Sequence, residues 1–134
     1  MISTQQQIHS DTTVATVSVV DGDQSVLDGI RTLLGTLNVR VRCYRSAEQF
    51  FNEANFNTPG CVVAEVHLPG INGIDLLKAL RSRGVDYPVV MLASDADVGM
   101  AVTAMHLGAV DFIEKPFVDR VLIGRVRQAL RTAS

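Results

Sequence analysis

The chain has 134 residues, 47% of them hydrophobic and 19% charged, with a formal net charge of −2. This is the size of one domain with a real core, and the balance excludes a disordered chain. The weak negative charge gives no reason to expect nucleic-acid binding, and no apolar run approaches the roughly 20 residues that span a membrane.

Residues 1–13 are polar, with Gln5, Gln6 and Gln7 in succession, and read as a loose tail ahead of a domain over 14–132. The tail lacks the basic and apolar blocks of a secretory signal, so a cytoplasmic protein is expected. Val14 to Val20 is β-branched and apolar, which predicts a strand. Val26, Ile30, Leu33, Leu34 and Leu37 recur at helical spacing, with Ser25 or Asp23 available as cap. Val39 to Tyr44 predicts a second strand, and Ser46 opens a helix to about Asn52 with Phe50 and Phe51 inward. The turn residues Asn57 to Gly60 precede a buried strand, Cys61 to Val66. Pro69, Gly70, Asn72 and Gly73 make a loop before a helix marked by Ile74, Leu77 and Leu80, which stops near Gly84. A strand over Val89 to Leu92 follows, then a helix marked by Val98, Val102 and Met105 that ends at Gly108. The last pair is a strand at Val110 to Ile113 and a helix over Val118 to Thr132, with Leu122, Val126 and Ala129 on one face.

Strict alternation of strand and helix implies an α/β fold with a parallel sheet covered on both faces. Five such units predict the flavodoxin-like (βα)5 doubly wound sheet with strand order 2-1-3-4-5. In that order Cys43 and Cys61 stand about 10 Å apart, across the first strand. That is too far for a disulfide, and the spacing suits no zinc site, so both read as small apolar fillers.

Ligands of open α/β sheets bind at the carboxyl ends of the strands. Those ends carry Asp21, Gly22 and Asp23; Glu65 and His67, then Pro69; Ala93, Ser94, Asp95 and Asp97; and Glu114, Lys115 and Pro116. The residues alone describe an acidic pocket with one lysine. Asp21 and Glu65, from neighbouring strands, invite a divalent cation or a bridging ammonium, for which Lys115 is the candidate. Plain solvation of carboxylates at strand ends stays open at this point. There is no glycine-rich phosphate cradle and no Ser/His/Asp arrangement.

The segments VVDGDQSVLDGIRTLL, SAEQF, HLPGINGIDLLKALR, DVGMAVTAMHLGAVDFIEKPF and RVRQAL closely resemble the receiver domains of two-component response regulators, most of all the nitrogen-fixation-type branch of transcription regulators. The resemblance runs from residue 14 to about 132. It implies phosphoryl transfer from a histidine kinase to an aspartate ending strand three. Mg²⁺ is then held by that aspartate, an acidic pair after strand one and a backbone carbonyl two residues past the acceptor. It also implies a Thr or Ser ending strand four, a switching aromatic on strand five, and a lysine after it, commonly followed by a cis proline bond.

Placed on this sequence, the acidic pair falls on Asp21 and Gly22, the acceptor on Glu65, the hydroxyl on Ala93, the aromatic on Phe112 and the lysine on Lys115, with the carbonyl at His67. Gly22 supplies no carboxylate, so the site sums to one negative charge and Mg²⁺ binding is expected to weaken. Glu65 carries its carboxylate about 1.5 Å farther out than aspartate, which disturbs in-line transfer. Ala93 supplies no hydroxyl. A Glu65–Lys115 ion pair is expected in place of the metal, partly imitating a phosphorylated site.

Asp23 and Ser94 are the residues that could rescue the site, although Asp23 reads better as a helix cap. His67 reads as exposed loop, His106 as complementing a helix C-terminus, and Asp95 and Asp97 as loop and cap acids; Met100 and Met105 read as packing. The expected function is that of a non-enzymatic signalling module acting by protein contact, with weak or no Mg²⁺-dependent phosphorylation. Its expected partners are a histidine kinase, a fused DNA-binding output domain or a second copy as a homodimer. The alternatives are a phosphorelay receiver with a rescued or unusual acceptor, and a small-molecule sensor using the same crevice.

Overall fold

The computed structural model describes residues 14–94 and 97–133. The tail expected over residues 1–13, and Asp95, lie outside the described residues. The elements are β1 (Thr16–Val20), α1 (Gln24–Leu34), β2 (Arg40–Tyr44), α2 (Ala47–Glu53), β3 (Gly60–Glu65), α3 (Gly73–Ser82), β4 (Val89–Ala93), α4 (Val98–His106), β5 (Asp111–Glu114) and α5 (Asp119–Ala133). All paired strands are parallel, in the order β2-β1-β3-β4-β5. The expected fold class and strand order are both observed, with boundaries displaced by one or two residues.

Side chains alternate across each strand, so one sheet sorts two cores. Val17, Val19, Cys61, Val63, Val90, Leu92 and Ile113 face α1 and α5, where Leu27, Ile30, Leu34, Leu122, Val126 and Ala129 are buried. Val20, Tyr44, Val62, Ala64, Val89 and Met91 face α2, α3 and α4, meeting Phe50, Leu76, Leu77, Leu80, Ala101 and Ala104. Phe50 is fully buried and takes Tyr44, Phe51 and Phe56 edge-on at centroid distances of 5.1–5.4 Å. Phe51 is only half-buried, under the Arg83 guanidinium.

One of the two expected caps is selected, and one expected helix face changes. The cap of α1 is Asp23, whose carboxylate accepts from Ser25 N at 2.9 Å and from Ser25 Oγ at 2.7 Å. The inner face of α4 is Ala101 and Ala104, while Val102 and Met105 are 45% and 37% exposed. Small residues let α4 lie close to the sheet, and the larger apolar side chains at helical spacing then point outward. Leu107, Val110 and Val118, in the segments that follow, are also exposed, at 40%, 41% and 55%. Asp97 holds the cap position of α4 without capping it; its Oδ2 accepts from Ser94 Oγ at 2.9 Å.

Candidate functional site

The parallel ladders bring the carboxyl ends of β1, β3, β4 and β5 together. Backbone bonds continue the pairing just past the strands: Asp21 N to Tyr44 O (3.0 Å), Val66 N to Leu92 O (2.8 Å) and Lys115 N to Ala93 O (2.8 Å). These place the first residue after β1, the last of β3 and the first after β5 around one point. Gly73 opens α3 where a Cβ would stand 2.4 Å from Glu65 O, so only glycine allows this approach of helix and strand.

At that point Lys115 Nζ lies 2.7 Å from Asp21 Oδ2 and 3.0 Å from Glu65 Oε2. Asp21 is 2% exposed and Glu65 8%, whereas the lysine side chain reaches solvent at its edge. Asp21 is well satisfied, because its Oδ1 also accepts from Asp23 N at 2.9 Å. Glu65 Oε2 is not: its contact with Lys115 is an ion pair off the hydrogen-bond direction, and the atom is buried without a hydrogen-bond partner. Burial raises the Glu65 pKa, with Lys115 opposing and Asp21 adding to the rise. Burial pulls the Lys115 pKa down, but its contacts with Asp21 and Glu65 outweigh this and hold it above the usual lysine value.

The structure thus joins Asp21, Glu65 and Lys115. The expected Glu65–Lys115 contact is present, and Asp21, the other acid expected to invite a bridging ammonium, makes the shorter half of the bridge. Gly22 adjoins them with its carbonyl accepting from Arg45 Nε at 3.1 Å. Ala93 is fully buried at the end of β4, and Phe112 is half-buried against the α2–α4 core. His67 is exposed on the loop after β3, and the Lys115–Pro116 bond is cis. The two rescue candidates are engaged elsewhere: Asp23 caps α1, and the Ser94 hydroxyl donates to Asp97.

Sequence reasoning missed Arg45 and Glu48. Arg45 lies between β2 and the Ser46 cap of α2, Glu48 lies in the first turn of α2, and they hold the loops around the site. Arg45 grips Gly22 O, and Glu48 Oε2 accepts from Ile71 N at 3.3 Å, beside Gly70 at φ +74°. Arg45 follows the end of the edge strand β2, the one strand end not considered, and Glu48 lies in a helix, where a reading of strand ends could not find it.

A doubly wound parallel sheet with acids and a lysine converging at its carboxyl edge defines a flavodoxin-like α/β domain whose site lies at the strand ends. Residues 17–127 match the response regulator receiver domain, and the chain belongs to that family. The chain is 33% identical over 125 residues to the response regulator protein TodT of Pseudomonas putida, covering 93% of this chain and 55% of TodT. It is 37% identical over 122 residues to the transcriptional regulatory protein FixJ of Bradyrhizobium diazoefficiens, covering 91% and 60%. The crystal structure of full-length FixJ from B. japonicum superposes with a TM-score of 0.85 at 36% identity, over 92% of this chain and 61% of that one. The chain therefore spans somewhat more than half the length of these relatives. Among the described residues, no helix is long and apolar enough to cross a membrane.

Proposed function

We propose that this receiver signals by protein contact from a site held closed by its own lysine, without ordinary Mg²⁺-dependent phosphorylation. The observation that carries this reading is the Lys115 ammonium seated between Asp21 and Glu65 at 2.7 and 3.0 Å. A cation already fills the position between the two carboxylates. Gly22 adds no third acid, and among the described residues no group of three His, Cys, Asp or Glu side chains could hold a metal ion. Mg²⁺ asks for near-octahedral oxygen ligation, which this donor set does not fit, so no step is routed through the metal.

The chemistry of transfer is also poorly served. The Glu65 carboxylate is buried and paired, its pKa is raised, and Ala93 offers no hydroxyl to a phosphoryl oxygen. What the site does supply is a fixed charge arrangement linking β1, β3 and the start of the β5–α5 loop. In this reading the domain is not an enzyme but a contact module. The apolar side chains exposed on and beside α4 support contact with a protein, whether a kinase, an output domain of the same protein or a second copy.

The test is incubation with Mg²⁺ and acetyl phosphate followed by intact mass measurement. The protein is expected to show no stable gain of one phosphoryl group. The combined variant Gly22→Asp, Glu65→Asp, Ala93→Thr is expected to show it. A stable gain on the unaltered chain would overturn the proposal in favour of a phosphorelay receiver with an unusual acceptor.

A further inference from the structure

A second polar site lies under the edge strand β2 and does not include the residues of the lysine bridge. Thr16 and Ser18 on β1 pair with Arg40 and Arg42 on β2, two and four residues before Val20 and Tyr44. All four therefore share the face on which Val20 and Tyr44 are core residues. An interior strand of a doubly wound sheet is expected to be apolar on both faces. Here β1 places hydroxyls on one of them, and Ser18 is 6% exposed.

The covering helix explains why the site is open. α2 has seven residues, about 10 Å of helix, and packs Phe50 onto Tyr44 at the carboxyl end of β2. It does not extend over the first half of β1 and β2. The result is a cavity of about 480 Å³ lined by Thr16, Ser18, Arg40, Arg42, Arg31 and Glu53. This volume lies in the range of small-molecule sites.

The charge of the cavity sets its ligand class. Its charged lining residues are Arg31, Arg40, Arg42 and Glu53, three positive and one negative, or +2 in a chain whose net charge is −2. Among the described residues neither Arg40 nor Arg42 is a partner in the ion pairs of Lys115 with Asp21 and Glu65 or of Arg125 with Asp111. Arg31 reaches round the edge to donate to Val41 O at 3.4 Å. Charges on an edge strand do protect it from pairing with another chain. That role is indifferent to sign, however, and asks for no cavity backed by hydroxyls.

We propose that this cavity binds the phosphate group of a small phosphorylated molecule, held by the Arg40 and Arg42 guanidiniums with Ser18 and Thr16 as hydroxyl partners. A phosphate monoester carries about −1.5 to −2 at neutral pH, matching the +2 lining, and guanidinium forks suit its oxygens. The site is separate from the Lys115 bridge and does not rest on how that bridge is read.

The test uses the full chain, isotope-labelled, with inorganic phosphate as probe and KCl at matched ionic strength as control. The amide resonances of Thr16, Ser18, Arg40 and Arg42 are expected to shift saturably with phosphate and not with KCl. In the double variant Arg40→Gln, Arg42→Gln, whose altered side chains are exposed, affinity is expected to fall at least about tenfold while the unliganded spectrum elsewhere is retained. Shifts that follow ionic strength alone, that centre on Gly22 and Lys115, or that persist in the double variant would overturn the site. An equal response to succinate would overturn its assignment to phosphate.

Discussion

Lys115 and Asp21 are 94 residues apart in the chain, and their Nζ and Oδ2 atoms meet at 2.7 Å at the edge of the sheet. Neither partner could be placed there alone at low cost. Two buried carboxylates without a cation repel each other, and a lysine without acids would lose its charge to burial. Replacing Lys115 with Met is therefore expected to destabilise the protein by about 2–4 kcal/mol, at the lower side of the range for breaking a buried pair because the ammonium keeps some solvent contact. Adding Asp21→Asn should recover part of the loss. Urea unfolding at neutral pH measures both. Because the native state holds the Lys115 proton more tightly than the unfolded chain, this stabilisation is present below the ordinary value of 10.5 and is lost as pH rises beyond it through the raised native value.

Glu65 has the opposite consequence. Its pKa is raised by burial above the ordinary 4.5, so the native state binds this proton more tightly than the unfolded one. Stability contributed by Glu65 is full below 4.5 and falls as pH rises from there through the native value. In Glu65→Gln this slope should disappear, and at pH 7 the urea midpoint should be equal to or above that of the unaltered chain. A clear fall of the midpoint at pH 7 would show that the Glu65–Lys115 contact is worth more than the burial of the carboxylate.

Gly73 tests the framework rather than the charges. A Cβ there would stand 2.4 Å from Glu65 O and 2.9 Å from Val66 Cα, both backbone atoms with little freedom to yield. Gly73→Ala is expected to cost about 1–3 kcal/mol through overpacking. It should also shift the amide resonances of Glu65 and Lys115 as the strand end moves away from the helix. Gly29→Ala, on α1 with open space at its Cβ, is the matched control and should not lower stability.

The fold was readable because its signals are periodic and local. Apolar runs such as Val89 to Leu92 alternate with helical spacing such as Leu122, Val126 and Ala129, and a parallel sheet follows from their order. The site was readable as a set of strand ends, which brought Asp21, Glu65 and Lys115 together before any distance was known. What escaped depends on depth and partnership. Val102 and Met105 have the spacing of an inner face, but the closeness of α4 to the sheet reserves that face for Ala101 and Ala104. Arg45 and Glu48 reach the site loops from the β2–α2 turn and the first turn of α2, contacts that no spacing along the chain encodes. The cavity beneath β2 arises from the shortness of α2, which matters only once the strands beside it are placed.

Gly22 offers the most direct way to change what the site binds. Its backbone lies outside the left-handed region, and a Cβ there would meet Pro69 Cδ at 3.5 Å, Pro69 Cγ at 3.8 Å and Arg45 O at 4.0 Å, all ordinary contacts. Aspartate should therefore be accommodated without strain, one residue from Asp21. Shortening Glu65 to Asp at the same time would withdraw one carboxylate from the ammonium and leave three acids around the position. The double variant Gly22→Asp, Glu65→Asp is expected to gain affinity for Mg²⁺. A ligand that binds only the native state stabilises it by about 2.7 kcal/mol at a hundred times its Kd, which for a domain of this size is a Tm rise of several degrees. The unaltered chain should show no more rise with MgCl₂ than with KCl of equal ionic strength. A Tm rise of the same size in the unaltered chain would mean that Lys115 yields its place to the metal, and that two carboxylates suffice to hold it.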